Sequence, residues 1–359
     1  MGKKNYLLCS VLSAILTISF VSCDKEGDPT SEPNITNKTT GVYILSQGSW
    51  KGNNSTLDFY NPETKELNQK VFSSMNGRSL GDTANDMLIY GSKMYIAVST
   101  SATIEVTDIT GKSLKTITPK DASGFSQEPR MLEGYNGKVY VTLYDGYLAC
   151  IDTVSLEIEK KVKVGIGPEG VRAYENKLYV ASSGGWSTKD SSLYIVDPIS
   201  FTVTKDIINV VLNPFSMHKD SEGDLYIISK GDYGDIKNTL QRMDKITKKV
   251  DPICLASAIT IQNDKIYGFY NDGTGANVKF IKYDAKKDEP LVEDFITDGT
   301  VVKNPFAISS DPVSGNVYIF TSDYKNTGDV YVFSSEGKLI HQFGTSGINP
   351  MGAFFVTSK

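Results

Sequence analysis

Histidine is nearly absent from this 359-residue chain, with two in all, and cysteine is sparse at four. With so few ligands and no Cys/His cluster, a zinc centre is excluded. Nor is there a His, Asp and Ser grouping of the kind that nucleophilic catalysis requires. Basic runs are missing beyond the first few residues, and 37 Lys plus Arg stand against 42 Asp plus Glu, for a net charge of −5. That balance lacks the electrostatic footprint of a nucleic-acid binder. Carboxylates crowd together in "DSEGD" and "GDYGD". Both stretches lack the spaced ligands and closing Glu of a calcium loop, so they read as solvated turns. No resident cofactor or metal is expected.

What is present begins with the first 22 residues. Lys3 and Lys4 precede an apolar run from Tyr6 to Phe20, and small residues follow. This is the layout of a secretory signal peptide spanning residues 1–22, too short and wrongly flanked for a membrane span. Ser22 and Cys23 resemble a bacterial lipobox, in which the Cys is acylated and becomes the mature N-terminus, although Phe20 stands where Leu is usual. The acidic "CDKEGD" is similar to the signal that sends Bacteroidetes lipoproteins to the outer face of the outer membrane. Residues 23–40 then carry almost no apolar side chain, so they read as a lipidated flexible tether. Cys150 and Cys254 lie in strand-like runs and are expected as buried free thiols.

Self-similarity organises residues 41–359. A turn, a polar residue, an apolar residue, Tyr and further apolar residues recur as "GSKMYIAV", "NGKVYVTL", "ENKLYVAS", "EGDLYIIS", "NDKIYGFY" and "SGNVYIFT", with "TGVYILS" at the start. The tyrosines are Tyr43, Tyr95, Tyr140, Tyr179, Tyr226, Tyr267 and Tyr318. A spacing of about 40 to 50 residues is that of propeller blades. Hairpins with Asn-Pro, Asp-Pro or Glu-Gly turns follow each motif, and another apolar run precedes it, giving four antiparallel strands, a to d, per repeat. The first repeat lacks a strand a, while "NPMGAFFVTS" at the C-terminus supplies one with no blade after it. The reading is an all-β, seven-bladed β-propeller, closed by pairing the C-terminal strand into the first blade. The many tyrosines, 20 in all, are expected between blades with hydroxyls at a wet rim.

Alternating strand directions put the b–c loops and the d–a connections on one face. These b–c loops are long and varied, and they carry Trp50, Tyr144, Trp186, Tyr233, Tyr270 and Tyr324 amid Gly, Asn, Asp and Ser. Rigid aromatics with small polar neighbours make adaptable recognition surfaces. A Pro introduces several inner strands, and the residue after it changes from blade to blade: Arg130, Glu169, Phe215, Phe306 and Met351, with Asp86 and Ser257 in the corresponding places of two blades that lack the Pro. A constant frame with a changing side chain describes a ligand-binding ring. The competing possibilities are that these residues only plug the channel and that a loop Trp folds back on its blade. His218 is placed to reach the channel.

The blade motif "NGKVYV", the "P-x-x" lead and the trailing "V-D-P-x-(S/T)" resemble the YncE-like propellers over nearly all of 41–359. With the "CDKEGD" start, the chain resembles Bacteroidetes surface lipoproteins, most of all the BtuG group. That resemblance implies a non-enzymatic protein that captures cobalamin or related corrinoids and hands them to a TonB-dependent outer-membrane transporter, attached to the membrane through its lipid alone. A corrin's broad apolar face fringed by amides suits stacking aromatics with Asn, Ser and Tyr. The corrinoid-enzyme pattern D-x-H-x-x-G is not met, because Leu339 stands where Asp is needed before His341. Two other readings stay open: a glycan-binding or adhesion module, and a polysaccharide lyase or hydrolase.

Overall fold

The computed structural model describes Asn37–Ser358 apart from Ser187, Ala276, Lys287 and Asp288, with backbone alone for Glu289–Glu293. The signal peptide, Cys23 and the tether up to residue 36 lie outside the described residues. Seven four-stranded antiparallel sheets form the propeller. The inner strands are Ala84–Tyr90, Pro129–Tyr135, Pro168–Tyr174, Pro214–Lys219, Ala258–Gln262, Pro305–Ser310 and, in blade 1, the C-terminal Pro350–Ser358. This last strand pairs with Lys38–Ser46, from Lys38 opposite Ser358 to Ser46 opposite Pro350, and so closes the ring. The ladder therefore begins at Lys38, inside the stretch read as tether, because the closing strand is long enough to pair with it.

Seven hydrophobic clusters lie between neighbouring blades rather than within them. Tyr95, Ala97 and Ile104 of blade 2, for example, pack with Leu132, Val139 and Val141 of blade 3. The last cluster joins Tyr318 and Phe320 of blade 7 to Val42, Ile44 and Tyr60 of blade 1. A sheet buried on both sides by its neighbours explains why strand b is apolar at nearly every position. The repeat tyrosines sit here, at most 4% exposed. Their hydroxyls are not at a wet rim, as the sequence suggested. Tyr43 donates to Ile109 O at 2.5 Å and Tyr267 to Ser335 O at 3.4 Å, each in the following blade. Tyr95 Oη is buried without any partner among the described residues.

Blade 1 departs from the pattern. Its outer strand is only Leu67–Asn68, and a short helix, Val71–Asn76, follows. Buried Asp58 accepts from Lys70 N at 2.8 Å and from Ser346 N at 2.7 Å, which turns the chain at Lys70 and ties it to the last blade. Phe72 then fills the core between blades 1 and 2. Cys150 is a buried free thiol, and Cys254 is half-buried.

Inner strands leave one edge unpaired toward the channel, and backbone N–H groups there need partners. Side chains of the preceding blade supply them. Asp86 accepts from Leu132 N at 2.8 Å, Glu133 from Ala173 N at 3.1 Å, and Ser309 Oγ from Ala353 N at 3.0 Å.

Candidate binding face

The d–a and b–c connections meet on one face around a bowl of about 750 Å³. Its rim carries Trp50, Trp186 and Tyr233, respectively 73%, 94% and 85% exposed, so neither tryptophan folds back on its blade. Glycines make this possible at Trp186. Gly184 and Gly185 hold φ of +87° and +66°, a region costly for other residues. A Cβ on neighbouring Gly167 would meet Gly185 N at 2.4 Å, so the connection into blade 4 packs directly under the tryptophan loop. On the far side Tyr233 accepts a hydrogen bond from Asn213 Nδ2 at 3.3 Å.

The floor comes from the inner strands. Arg130 holds Glu169 through two bonds, Nε to Oε2 at 2.9 Å and Nη2 to Oε1 at 3.1 Å. Its guanidinium lies over the Tyr144 ring at 5.1 Å. Lys230 Nζ stands 4.7 Å over the Phe215 ring and donates to Ser257 O at 2.8 Å. Burial pulls the Lys230 amine down to about 8, against the opposing attraction of Glu169. Burial likewise pushes Glu169 up, although Arg130 and Lys230 pull it back. The result is a nearly neutral floor of rigidly held charges beneath an apolar rim.

Below the floor a channel cavity of about 460 Å³ runs between the inner strands. Gln47, Arg130, Glu169, Phe215 and Lys230 line both spaces, so the bowl opens into the channel. His218 lines the channel, where burial and the Arg172 charge push its imidazole down to about 3. Asp86 is raised to about 7 by burial, offset by its two backbone N–H donors and by Arg172.

Of the residues singled out in the sequence, Trp50, Arg130, Tyr144, Glu169, Trp186, Phe215 and Tyr233 converge on the bowl. Tyr270, Phe306 and Tyr324 line an adjoining groove that shares Lys230 and Tyr233 with it. There Phe306 and Tyr324 meet edge to face at 5.6 Å. Tyr270 is not a loop residue, because strand b of blade 6 runs on to Asn271. Met351 and Asp86 line the channel but not the bowl. Asp86 is one place too far along: Ala84 pairs with Val98 as the prolines pair in other blades, and this puts Asn85 at the ring position.

A second ring was not anticipated. In the first five blades the fourth residue after the repeat tyrosine lies just past the end of strand b and lines the bowl, giving Gln47, Ser99, Tyr144, Ser183 and Lys230. In blade 6 the same position is Asn271, which lines the adjoining groove. The signal was in the repeat itself, a variable place at a constant offset from Tyr, and only Tyr144 stood out because it is aromatic. Among the described residues no cluster of three or more His, Cys, Asp or Glu is arranged to hold a metal. In "DSEGD" and "GDYGD" the leading carboxylates bind their own turns, Asp220 accepting from Gly223 N and Asp224 N and Asp232 from Gly234 N and Ile236 N, while Asp224 pairs with Arg242.

A family model described as a domain of unknown function (DUF5074) matches residues 40–355. No curated protein matches the sequence. Among solved structures, a candidate 6-phosphogluconolactonase from Bacteroides fragilis aligns over 92% of this chain and 100% of its own, with TM-score 0.63 and 14% identity. One from Bacteroides uniformis aligns over 88% and 100%, with TM-score 0.62 and 10% identity. Hydrazine synthase of Kuenenia stuttgartiensis aligns over 86% and 99%, with TM-score 0.57 and 13% identity. Likeness at such identities shows the propeller fold alone.

Proposed function

The chain belongs to the DUF5074 family of domains of unknown function, and from that premise we propose that its bowl captures cobalamin or a related corrinoid. On this reading the protein is held at the outer surface of the outer membrane through lipid on Cys23 and passes its ligand to a TonB-dependent transporter. The observation that carries the proposal is the bowl itself, about 750 Å³ with two tryptophans and a tyrosine exposed at its rim. This volume lies within the roughly 300–1,000 Å³ of small-molecule sites. Exposed rings offer flat apolar faces at low entropic cost, and Ser99, Thr100, Ser183 and Asn213 between them supply hydrogen bonds to a polar fringe. Glu169 has both carboxylate oxygens on Arg130. A carboxylate so held suits a recognition floor better than proton transfer, which favours binding over catalysis.

Because both tryptophans of the chain rim the bowl, their fluorescence reports occupancy directly. Titration with cyanocobalamin is expected to quench it saturably, and Trp186→Ala to weaken binding about tenfold or more, as for an aromatic hot spot. No saturable binding at micromolar ligand overturns the proposal. Binding on a glycan array in its place would favour the adhesion reading.

A further inference from the structure

Five buried side-chain atoms lack a hydrogen-bond partner among the described residues: Ser46 Oγ, Thr56 Oγ1, Asn85 Nδ2, Tyr95 Oη and Ser99 Oγ. Three of these residues line neither the bowl nor the channel. Asn85 lines the channel and Ser99 the bowl, both in blade 2, and they are only 7% and 2% exposed. An orphaned polar group of this kind is costly unless something meets it.

Asn85 ends a chain of hydrogen bonds whose direction is set at its far end. Tyr324 N donates to Ser322 Oγ at 2.9 Å, so the Ser322 hydroxyl proton is free to go to Asn349 Oδ1, 2.5 Å away. Asn349 Nδ2 faces Gly48 O at 3.2 Å. A backbone carbonyl can only accept, so the amide of Asn349 has one possible orientation. Its Nδ2 also donates to Gln47 Oε1 at 3.3 Å, and Gln47 Nε2 donates to Asn85 Oδ1 at 3.0 Å. Each amide accepts on one side and donates on the other, so the NH2 of Asn85, a residue of the channel lining, is the one group of this hydrogen-bond chain left without a partner among the described residues. Chains of this kind polarise their members, which strengthens the last donor.

We propose that Asn85 Nδ2 forms a donor subsite that receives a carbonyl oxygen, of an amide or carboxylate, reaching from the bowl into the channel. The surroundings favour a neutral amide. Arg130 and Arg172 are matched by Glu169 and Glu133, and the charges left in the lining, Lys230 and Asp86, are of opposite sign. The proposal rests on the capture reading, because an amide-fringed ligand in the bowl is what would supply the group.

The test uses wild-type protein, Asn85→Asp and Asn85→Ala with cyanocobalamin. Asn85→Asp turns the donor into an acceptor at nearly constant shape. It is expected to lower affinity about 10- to 100-fold, the range for a buried group facing an unmatched partner, and Asn85→Ala to lower it less. Thermal unfolding establishes that each variant is folded. If the wild type binds and both variants bind as tightly, the subsite is wrong and the bowl reading stands. If the variants do not fold, the side-chain amide resonances of Asn85 in 15N-labelled wild type decide: a shift on adding cyanocobalamin supports the subsite, and constancy overturns it. If the wild type does not bind cyanocobalamin, the capture reading fails, and the same resonances are followed with acetamide. A saturable shift then supports the donor subsite by itself, and no shift overturns it.

Discussion

Replacing Arg130 by Met is the sharpest probe of the floor. Glu169 has a side chain 7% exposed and Arg130 23%, and they are joined by two bonds. Methionine keeps most of the length and contact over Tyr144 but removes the charge, leaving a buried carboxylate with no bidentate partner. Breaking a buried pair from one side costs about 3–5 kcal/mol. For a domain of about 320 residues, unfolding entropy near 0.7 kcal/mol per degree turns this into a Tm loss of about 4–7 °C. The pH dependence separates this cause from lost packing. Burial already raises Glu169 while Arg130 pulls it down, so removing Arg130 raises it further. A carboxyl raised in the native state binds protons that the unfolded chain has released, so stability falls as pH rises through that window. The Tm deficit of Arg130→Met should therefore be larger at pH 8 than at pH 5. Adding Glu169→Gln should restore most of the loss at pH 8. Differential scanning calorimetry at the two pH values measures both effects. A deficit independent of pH and untouched by Glu169→Gln would refute the argument from an unpaired charge.

Three further outcomes follow from other parts of the molecule. Between pH 8 and about 10 native Lys230 has lost its proton while the unfolded lysine keeps it, so this residue makes stability rise with pH there; Lys230→Met should flatten that rise in urea titrations. Tyr95→Phe removes a buried hydroxyl without a partner and should stabilise by about 1 kcal/mol, whereas Tyr43→Phe, which loses its bond to Ile109 O, should destabilise by about as much; urea midpoints at constant slope check the pair. Gly170→Ala would push a Cβ to 2.6 Å from Phe215 O in the next blade, and a cost of about 1–3 kcal/mol, the price of overpacking against backbone, should appear as a lower melting temperature.

The propeller was legible because one residue type recurs at one place. The tyrosine of strand b marks all seven blades, and a first repeat without its strand a, with a spare strand at the C-terminus, pointed to closure. The ring after the inner-strand prolines was legible for the same reason, since Pro129, Pro168, Pro214, Pro305 and Pro350 all sit at the start of their strands. In blade 2 the marker is missing. "ANDM" offers two polar candidates in a row, and only the pairing of Ala84 with Val98 decides between them. Tyr270 misled because its strand runs to Asn271, and hydrophobic alternation carries no sign of where a strand stops beside small polar residues. Asn85 could not have been found from composition, because its significance lies in contacts with Gln47 and, through it, Asn349, residues close only once the ring has closed. The tyrosine hydroxyls were misplaced for a related reason: the blades pack closely enough to exclude water from the ends of the rings.

Closure also dictates when the structure can exist. Lys38 and Ser358 are partners although 320 residues separate them, so the contact that completes the circle bridges nearly the longest loop the chain can make. The entropy of that loop grows only slowly with its length, yet nothing can begin to repay it until the nine residues of the closing strand, Pro350–Ser358, are available. Until then blade 1 is a three-stranded sheet, and blades 1 and 7 each face water along a side meant for the other. Synthesis from the N-terminus thus leaves the domain an open arc until Pro350–Ser358 has emerged, and that strand acts as a clasp. Gln47 and Asn349 stand beside that clasp and face one another only when it is shut, so the donor chain leading to the channel reports a finished ring.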